Sequence, residues 1–380
     1  MAISAWSDYA RLYYPCAKFL EMPHFAFTAP PPQVVDQFAK ILAAFVPPLE
    51  SFIDEPLLLK PLHLLTFTSL PWSQAMWHLL SLLALFGSTA AVTGAAAHVQ
   101  SDAEDTHTMM FMSTCLAPVF ISLWLGQLGL VFGLLPLALG YLLLTKGKPA
   151  LAGFIWSFLL LKPAFLIVAV INAIAQVLAG KYRCLAGLVF GIIVVLLITW
   201  CACGGGEFNA WLSQFPSFSM QWQADPRLDV SFTNSVLIFA PERREALAPL
   251  CCVTSLVIAL GGLVALRILA RTKGKEDELI PLATLVGTLL VPILAPRLPF
   301  YDLSVLVMVA LIAYCFERRE HMEFRIQTLA RISWLAVTGY ALLFYFNRGL
   351  AYPIEVTFVI LILYLRLCET VHYAAHTPNY

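Results

Sequence analysis

From Leu125 to Arg183 the chain is almost continuously apolar, yet Gln127 and the pair Lys162-Pro163 stand inside that stretch. So long an apolar run belongs in a bilayer, where a charged side chain is expensive unless it lines a wet cavity. Lys146 and Lys148 close one half of the run, and Lys181 and Arg183 close the other. The positive-inside rule puts both clusters on the cytoplasmic face, so the chain between them rises and returns. About 13 residues climb to Leu161 and about 16 descend from Pro163, at or below the short limit for a spanning helix. Lys162-Pro163 is therefore an apex on the outer face, or partway down a cavity opening to it. The proline supports a break there, because it removes a backbone donor and disfavours helical geometry in the residue before it. By the same count Gln127 marks a second outer apex, between a rising Met109–Leu125 and a descending Leu128–Thr145.

The rest of the chain fits this register. With 380 residues, 60% hydrophobic and only 12% charged, and a mean hydropathy of +0.80, the chain reads as an all-α polytopic membrane protein. No basic run points to nucleic acid. The nine cysteines fall mostly in or beside apolar runs and form no metal-ligand set, so they read as packing residues. Spans are expected at Met76–Ala97, Leu185–Trp200, Leu250–Ala270, Leu279–Leu294, Leu303–Cys315, Ile332–Phe346 and Ile354–Leu367, giving about eleven crossing segments in all, several short or broken. Arg271, Lys273, Lys275, Arg318, Arg319 and Arg325 then all fall in cytoplasmic loops, although only Lys146 and Arg183 set the register.

Two segments are expected outside the membrane. Residues 1–70 hold no spanning run but carry an aromatic, mildly basic segment with Tyr13 and an amphipathic Val34–Phe45, both suited to the membrane interface. Residues 71–380 form the transmembrane domain, with a large outer loop at 203–245. An outer location for 1–70 calls for a span upstream, a partner that supplies one, or N-terminal translocation.

The outer face of this topology collects Asp8, His24, Gln127, Lys162, Glu207, Asn209, Asn234, Arg243, Arg244, Arg297, Tyr301 and Asp302. Several cations with a few carboxylates suit a lipid-linked phosphate: Lys as a point charge, Arg as a bidentate fork, and a carboxylate as general base. Plainer roles stand beside these. Lys162 could be a snorkelling anchor, Gln127 a helix–helix hydrogen-bond partner, Asp302 a helix cap, and Asp8 a solvated tail residue. A transporter would rather place ionisable groups at the midplane of paired repeats, and no pairing is evident.

The run APVFISLWLGQLGLVFGLLPLALGYLLLTKGKPALAGFIWSFLLLKP resembles the signature of the family 87 glycosyltransferases, in which a GQ ends one span and an AG, an apolar run and KP follow. The resemblance extends back to SDYARLYYPCAKFL, similar to a D-x-x-x-Y-Y segment with one more intervening residue. It extends forward to TNSVLIFA, similar to an N-x-S segment, and to LAPRLPFYDLSVLV, similar to a late S-P-x-S-W-x-H-x-L segment. It implies a GT-C-type bundle that transfers a sugar, mannose or similar, from a polyprenyl-phosphate donor to a lipid or glycan acceptor. The reaction would lie on the extracytoplasmic side of a bacterial inner membrane. Asp8 matches the carboxylate that acts as base, and Lys162 and Arg297 become donor-phosphate candidates. Gln127, Tyr13, Asn234 and His24 are further substrate-binding candidates. The late histidine is replaced by Tyr301 or Asp302, one of which would have to assist the base. No cofactor is required and no metal ligand set is expected, while metal dependence stays open. The competing reading is a non-catalytic relative that serves a membrane complex as subunit or assembly partner.

Overall fold

The computed structural model describes residues 70–96, 117–162, 165–214, 231–237, 243–273, 276–295 and 300–317, with isolated residues near these segments. Every regular element among them is helical. Helix α1 (Leu70–Ala96) has no acidic residue in its first turn and no basic residue in its last. Three of its buried hydroxyls are satisfied within the helix: Ser81, Ser88 and Thr89 donate to the carbonyls of Trp77, Ala84 and Leu85, which removes their cost in an apolar setting. This helix begins six residues before the expected Met76, because the preceding Leu-Pro-Trp-Ser-Gln-Ala carries no charge to stop it.

After α2 (Ala117–Leu125) the chain turns at Gly126, runs through a π-helical segment at Gly129–Leu134, and continues as α3 (Leu135–Thr145). Three turns share one device. Gly126, Gly147 and Gly180 adopt φ of 67°, 70° and 90°. The following N–H groups of Gln127, Lys148 and Lys181 reach back five residues to the carbonyls of Ser122, Leu143 and Gln176. This is the Schellman closure, which needs a residue that accepts the left-handed region and satisfies carbonyls left open at a helix end. It turns the chain at Gly126 and at both of the basic clusters.

Helix α4 (Pro149–Trp156) ends in a tighter 3-10 turn (Ser157–Leu161), and α5 (Leu166–Leu178) leads away from it. Next come α6 (Arg183–Cys203), α7 (Gly205–Gln214), α8 (Phe232–Leu237) and α9 (Arg244–Lys273). Then α10 (Glu276–Leu289) is interrupted at Leu290 and resumes as α11 (Val291–Leu294), with Pro292 in its first turn. A 3-10 stretch (Phe300–Leu306) opens α12 (Val307–Glu317). Among the described residues, the segment read from sequence as a polar outer loop thus contains the helices α7 and α8.

Close packing depends on small residues. Gly153 of α4 lies against the Cys184 carbonyl of α6, Gly187 of α6 against the Ala150 carbonyl of α4, and Gly191 against Ser157. Gly140 of α3 leaves room for the Trp156 indole, whose N–H donates to the Leu137 carbonyl at 3.2 Å. Helices in lipid gain little from apolar burial against one another and associate through such close backbone approach. Helices α5 and α10 are joined differently. Gln176 donates to the Ile280 carbonyl and to Thr284 Oγ1, and Asn172 donates to Thr288 Oγ1. Gly287 leaves the space that Asn172 occupies.

The outward faces are apolar. Leu79 and Leu83 on α1, Val189, Phe190 and Ile193 on α6, and Val253, Val257 and Leu260 on α9 are all exposed. An apolar surface on this scale is unsuited to water and suited to lipid. Among the described residues three helices are long and apolar enough to cross a membrane, at Pro71–Ala95, Arg183–Ala202 and Ala246–Ile268, and five shorter apolar helices accompany them. The protein is an all-α membrane protein.

Candidate functional site

The site begins with a break in regular structure. Lys162 ends the 3-10 turn in an extended conformation, φ −120° and ψ 98°, as expected for a residue held by the proline that follows it. The Phe165 N–H donates to the Lys162 carbonyl at 2.8 Å, closing a short bend before α5. Lys162 is buried although it carries a charge.

Its ammonium donates to Asp302 Oδ1 at 2.5 Å, across 140 residues of sequence. The side chains are 7% and 1% exposed. Each ion answers the other's desolvation, and the short charge-assisted contact is the geometry in which such a pair is strong. The Lys162 Nζ also lies 4.9 Å from the centre of the Phe165 ring, which adds a second electrostatic partner.

Phe165 is placed in turn by the π-helical segment. Its ring covers Gly133, where a Cβ would stand 2.6 Å from it, and reaches Gly129, where a Cβ would stand 3.4 Å away. The Gly129 position also faces Ser304 Oγ at 3.0 Å and Asp302 Oδ1 at 3.8 Å. A π-helical segment widens the helix locally and recurs at functional sites. Here it presents a bare backbone to the Lys162–Asp302 pair. The turn before it is pinned by Trp77, whose indole N–H donates to the Gly126 carbonyl at 2.9 Å. Gln127 is buried in that turn.

Three segments far apart in sequence thus meet: the GQ turn, the KP apex, and the late PFYDLS stretch, whose 3-10 turn packs against both α2 and the π-helical segment. Of the residues singled out from sequence, Lys162 and Asp302 are in direct contact, and Gln127 stands two residues from Gly129 in the turn beside them. Asp302 lies in the first turn of its 3-10 helix, where a cap would be, and is engaged by Lys162. Asn234 is buried on α8, its N–H donating to Ser231 Oγ at 3.2 Å. Asn209 is exposed on α7. Tyr301 belongs to the 3-10 turn by its backbone, and its side chain lies outside the described residues. Asp8, Tyr13, His24 and Arg297 also fall outside them.

Ser304 escaped the sequence reading. It is buried on the same turn as Asp302, and its hydroxyl finds no hydrogen-bond partner among the described residues. A serine two positions after an aspartate gives no signal by itself; only the approach of Gly129 marks it. Among the described residues no group of three or more His, Cys, Asp or Glu side chains is arranged to hold a metal ion.

Comparison with known proteins gives one result. The model of glycosyltransferase family 87 matches residues 56–296, a stretch that contains the GQ turn, the KP apex and all the helices between them. No curated protein and no solved structure gives a match. The family match covers more than half of the 380 residues, and the chain belongs to glycosyltransferase family 87, whose activity is that of a membrane glycosyltransferase.

Proposed function

We propose that this protein transfers a sugar, mannose or similar, from a polyprenyl-phosphate carrier to a lipid or glycan acceptor on the extracytoplasmic face of a bacterial inner membrane. The observation that carries the reading is the meeting of the GQ turn, the KP apex and the late 3-10 turn around one buried lysine. A lipid-linked donor places its phosphate at the membrane surface and its chain in the bilayer. The lysine at the head of a helical hairpin, with apolar helices around it, suits that geometry.

In the reaction, the acceptor hydroxyl oxygen forms a bond to the anomeric carbon as the bond from that carbon to the phosphate oxygen breaks. The bonding electrons leave on the phosphate, and the hydroxyl proton passes to a carboxylate. Asp8 is the proposed base. Lys162 and Arg297 are the proposed cations for the phosphate, whose charge grows as it leaves. Gln127, Tyr13, Asn234 and His24 are proposed to contact substrate, and Tyr301 and Asp302 to support the base or the cations. In this arrangement the N-terminal segment 1–70 and the 203–245 loop lie on the outer side over the transmembrane domain, which takes the GT-C form of about eleven crossings.

Transfer of radiolabelled sugar from polyprenyl-phosphate donors in membranes tests this, with wild type compared to Asp8→Asn. Transfer that disappears in the variant at equal expression establishes both activity and base. No transfer by either protein to native lipid extract overturns the proposal in favour of a non-catalytic relative that serves a membrane complex.

A further inference from the structure

We propose that Lys162 and Ser304 together form the donor-phosphate subsite, and that Asp302 is its resident anion, surrendering Lys162 when the phosphate enters. The inference rests on the polyprenyl-phosphate reading above and adds a residue and an exchange to it. Its basis is a local imbalance of donors and acceptors. Lys162 brings an ammonium and Asp302 a carboxylate, which balance each other. Ser304 adds a fully buried hydroxyl that finds no partner among the described residues, although such groups are normally satisfied.

The three polar groups are adjacent. Asp302 and Ser304 lie on one 3-10 turn, and both Oδ1 and Oγ approach the side of Gly129 where a Cβ would stand, beside the Phe165 ring. A phosphate oxygen that displaces Oδ1 from the ammonium would also accept from the Ser304 hydroxyl, and Gly129 adds no side chain of its own between the two groups. Exchange of one anion for another never leaves the buried ammonium unpaired, which is the state that costs most. Asp302 is then a positioning residue: it holds Lys162 in place before the donor arrives and does not take the acceptor proton.

The test uses the purified full-length protein in detergent, with a sugar-free polyprenyl phosphate as probe and two variants. Ser304→Ala removes a hydroxyl that finds no partner among the described residues, so thermal stability should hold or rise. The stabilisation that the probe confers should fall, and the donor KM should rise on the order of 10-fold, as for loss of a hydrogen bond to a charged group. Asp302→Asn removes the competing anion. The protein alone should be less stable, yet the probe should bind on the order of 10-fold more tightly. Probe binding unchanged in Ser304→Ala overturns the role of that hydroxyl, and probe binding weakened in Asp302→Asn overturns the exchange. A wild type that transfers sugar from another donor and ignores the probe sinks the donor reading itself, and the subsite with it.

Discussion

Gly153 meets the Cys184 carbonyl so closely that a Cβ on it would stand 1.9 Å from that oxygen, and Gly187 stands in the same relation to the Ala150 carbonyl. The two glycines make one reciprocal contact between α4 and α6, each fitting its bare backbone against the other helix. A methyl group on either side has no flexible neighbour to displace.

Gly153→Ala and Gly187→Ala should therefore each push the two helices apart and cost about 1–3 kcal/mol, the range for overpacking a close-fitted core. Gly94→Ala is the matched control, since nothing lies within 4 Å of its Cβ position and alanine is the better helix former. Thermal unfolding in detergent reads the difference. Equal midpoints for Gly153→Ala and Gly94→Ala would show that the α4–α6 contact yields freely.

The Lys162–Asp302 pair predicts a non-additive pattern. Lys162→Met alone strands a buried carboxylate, and Asp302→Leu alone strands a buried ammonium, each at about 3–5 kcal/mol. The double variant strands neither, so it should be more stable than either single change. Unfolding of all four proteins gives the coupling directly, and simple addition of the two losses would contradict the buried pair. Sugar transfer should stay lost in the double variant whatever its stability.

Trp77→Phe keeps an aromatic ring near Phe132, with which Trp77 stacks at 6.3 Å, and deletes the hydrogen bond to the Gly126 carbonyl. About 1 kcal/mol of stability should be lost. The turn carrying Gln127 would also lose its anchor, so kcat for sugar transfer should drop several-fold at a temperature where the variant is still folded. An unchanged kcat would assign Trp77 to packing alone.

Between α5 and α10, Asn172→Ala and Gln176→Ala should each cost about 1 kcal/mol, with coupling of roughly 0.6 kcal/mol between Gln176 and Thr284, as for interhelical hydrogen bonds in membranes generally. A double-mutant cycle measures it. Zero coupling would mean that Gln176 interacts chiefly through the Ile280 carbonyl.

Much of this architecture can be read before any coordinates. Lys146, Lys148, Lys181 and Arg183 mark the turns because charge is excluded from the bilayer, and Lys162-Pro163 marks a break because proline constrains its predecessor. These are local constraints, and the helix ends at Thr145 and Leu178 and the extended Lys162 agree with them. The pairing of Lys162 with Asp302 is not local. Nothing near Asp302 distinguishes a helix cap from a counter-ion, and only the packing of the late 3-10 turn against the π-helical segment decides it. The ladder of Asn172 and Gln176 with Thr284 and Thr288 lies between these extremes. Two amides spaced four apart in an apolar run, facing two threonines likewise spaced, form a legible pattern, but their register against each other emerges only in the packing, where Gly287 makes room for Asn172.

The separation of Lys162 from Asp302 also orders the birth of the protein. The chain grows from its N-terminus, so the lysine enters the membrane about 140 residues before its partner exists. The α4–α5 hairpin consists of two short arms, each below the length that inserts well alone. Until the late turn is synthesised, that hairpin must keep its charged tip in contact with water, riding high at the surface. Synthesis of the PFYDLS stretch then lets the tip sink, so the last described segment to emerge from the ribosome completes a charged feature laid down far earlier.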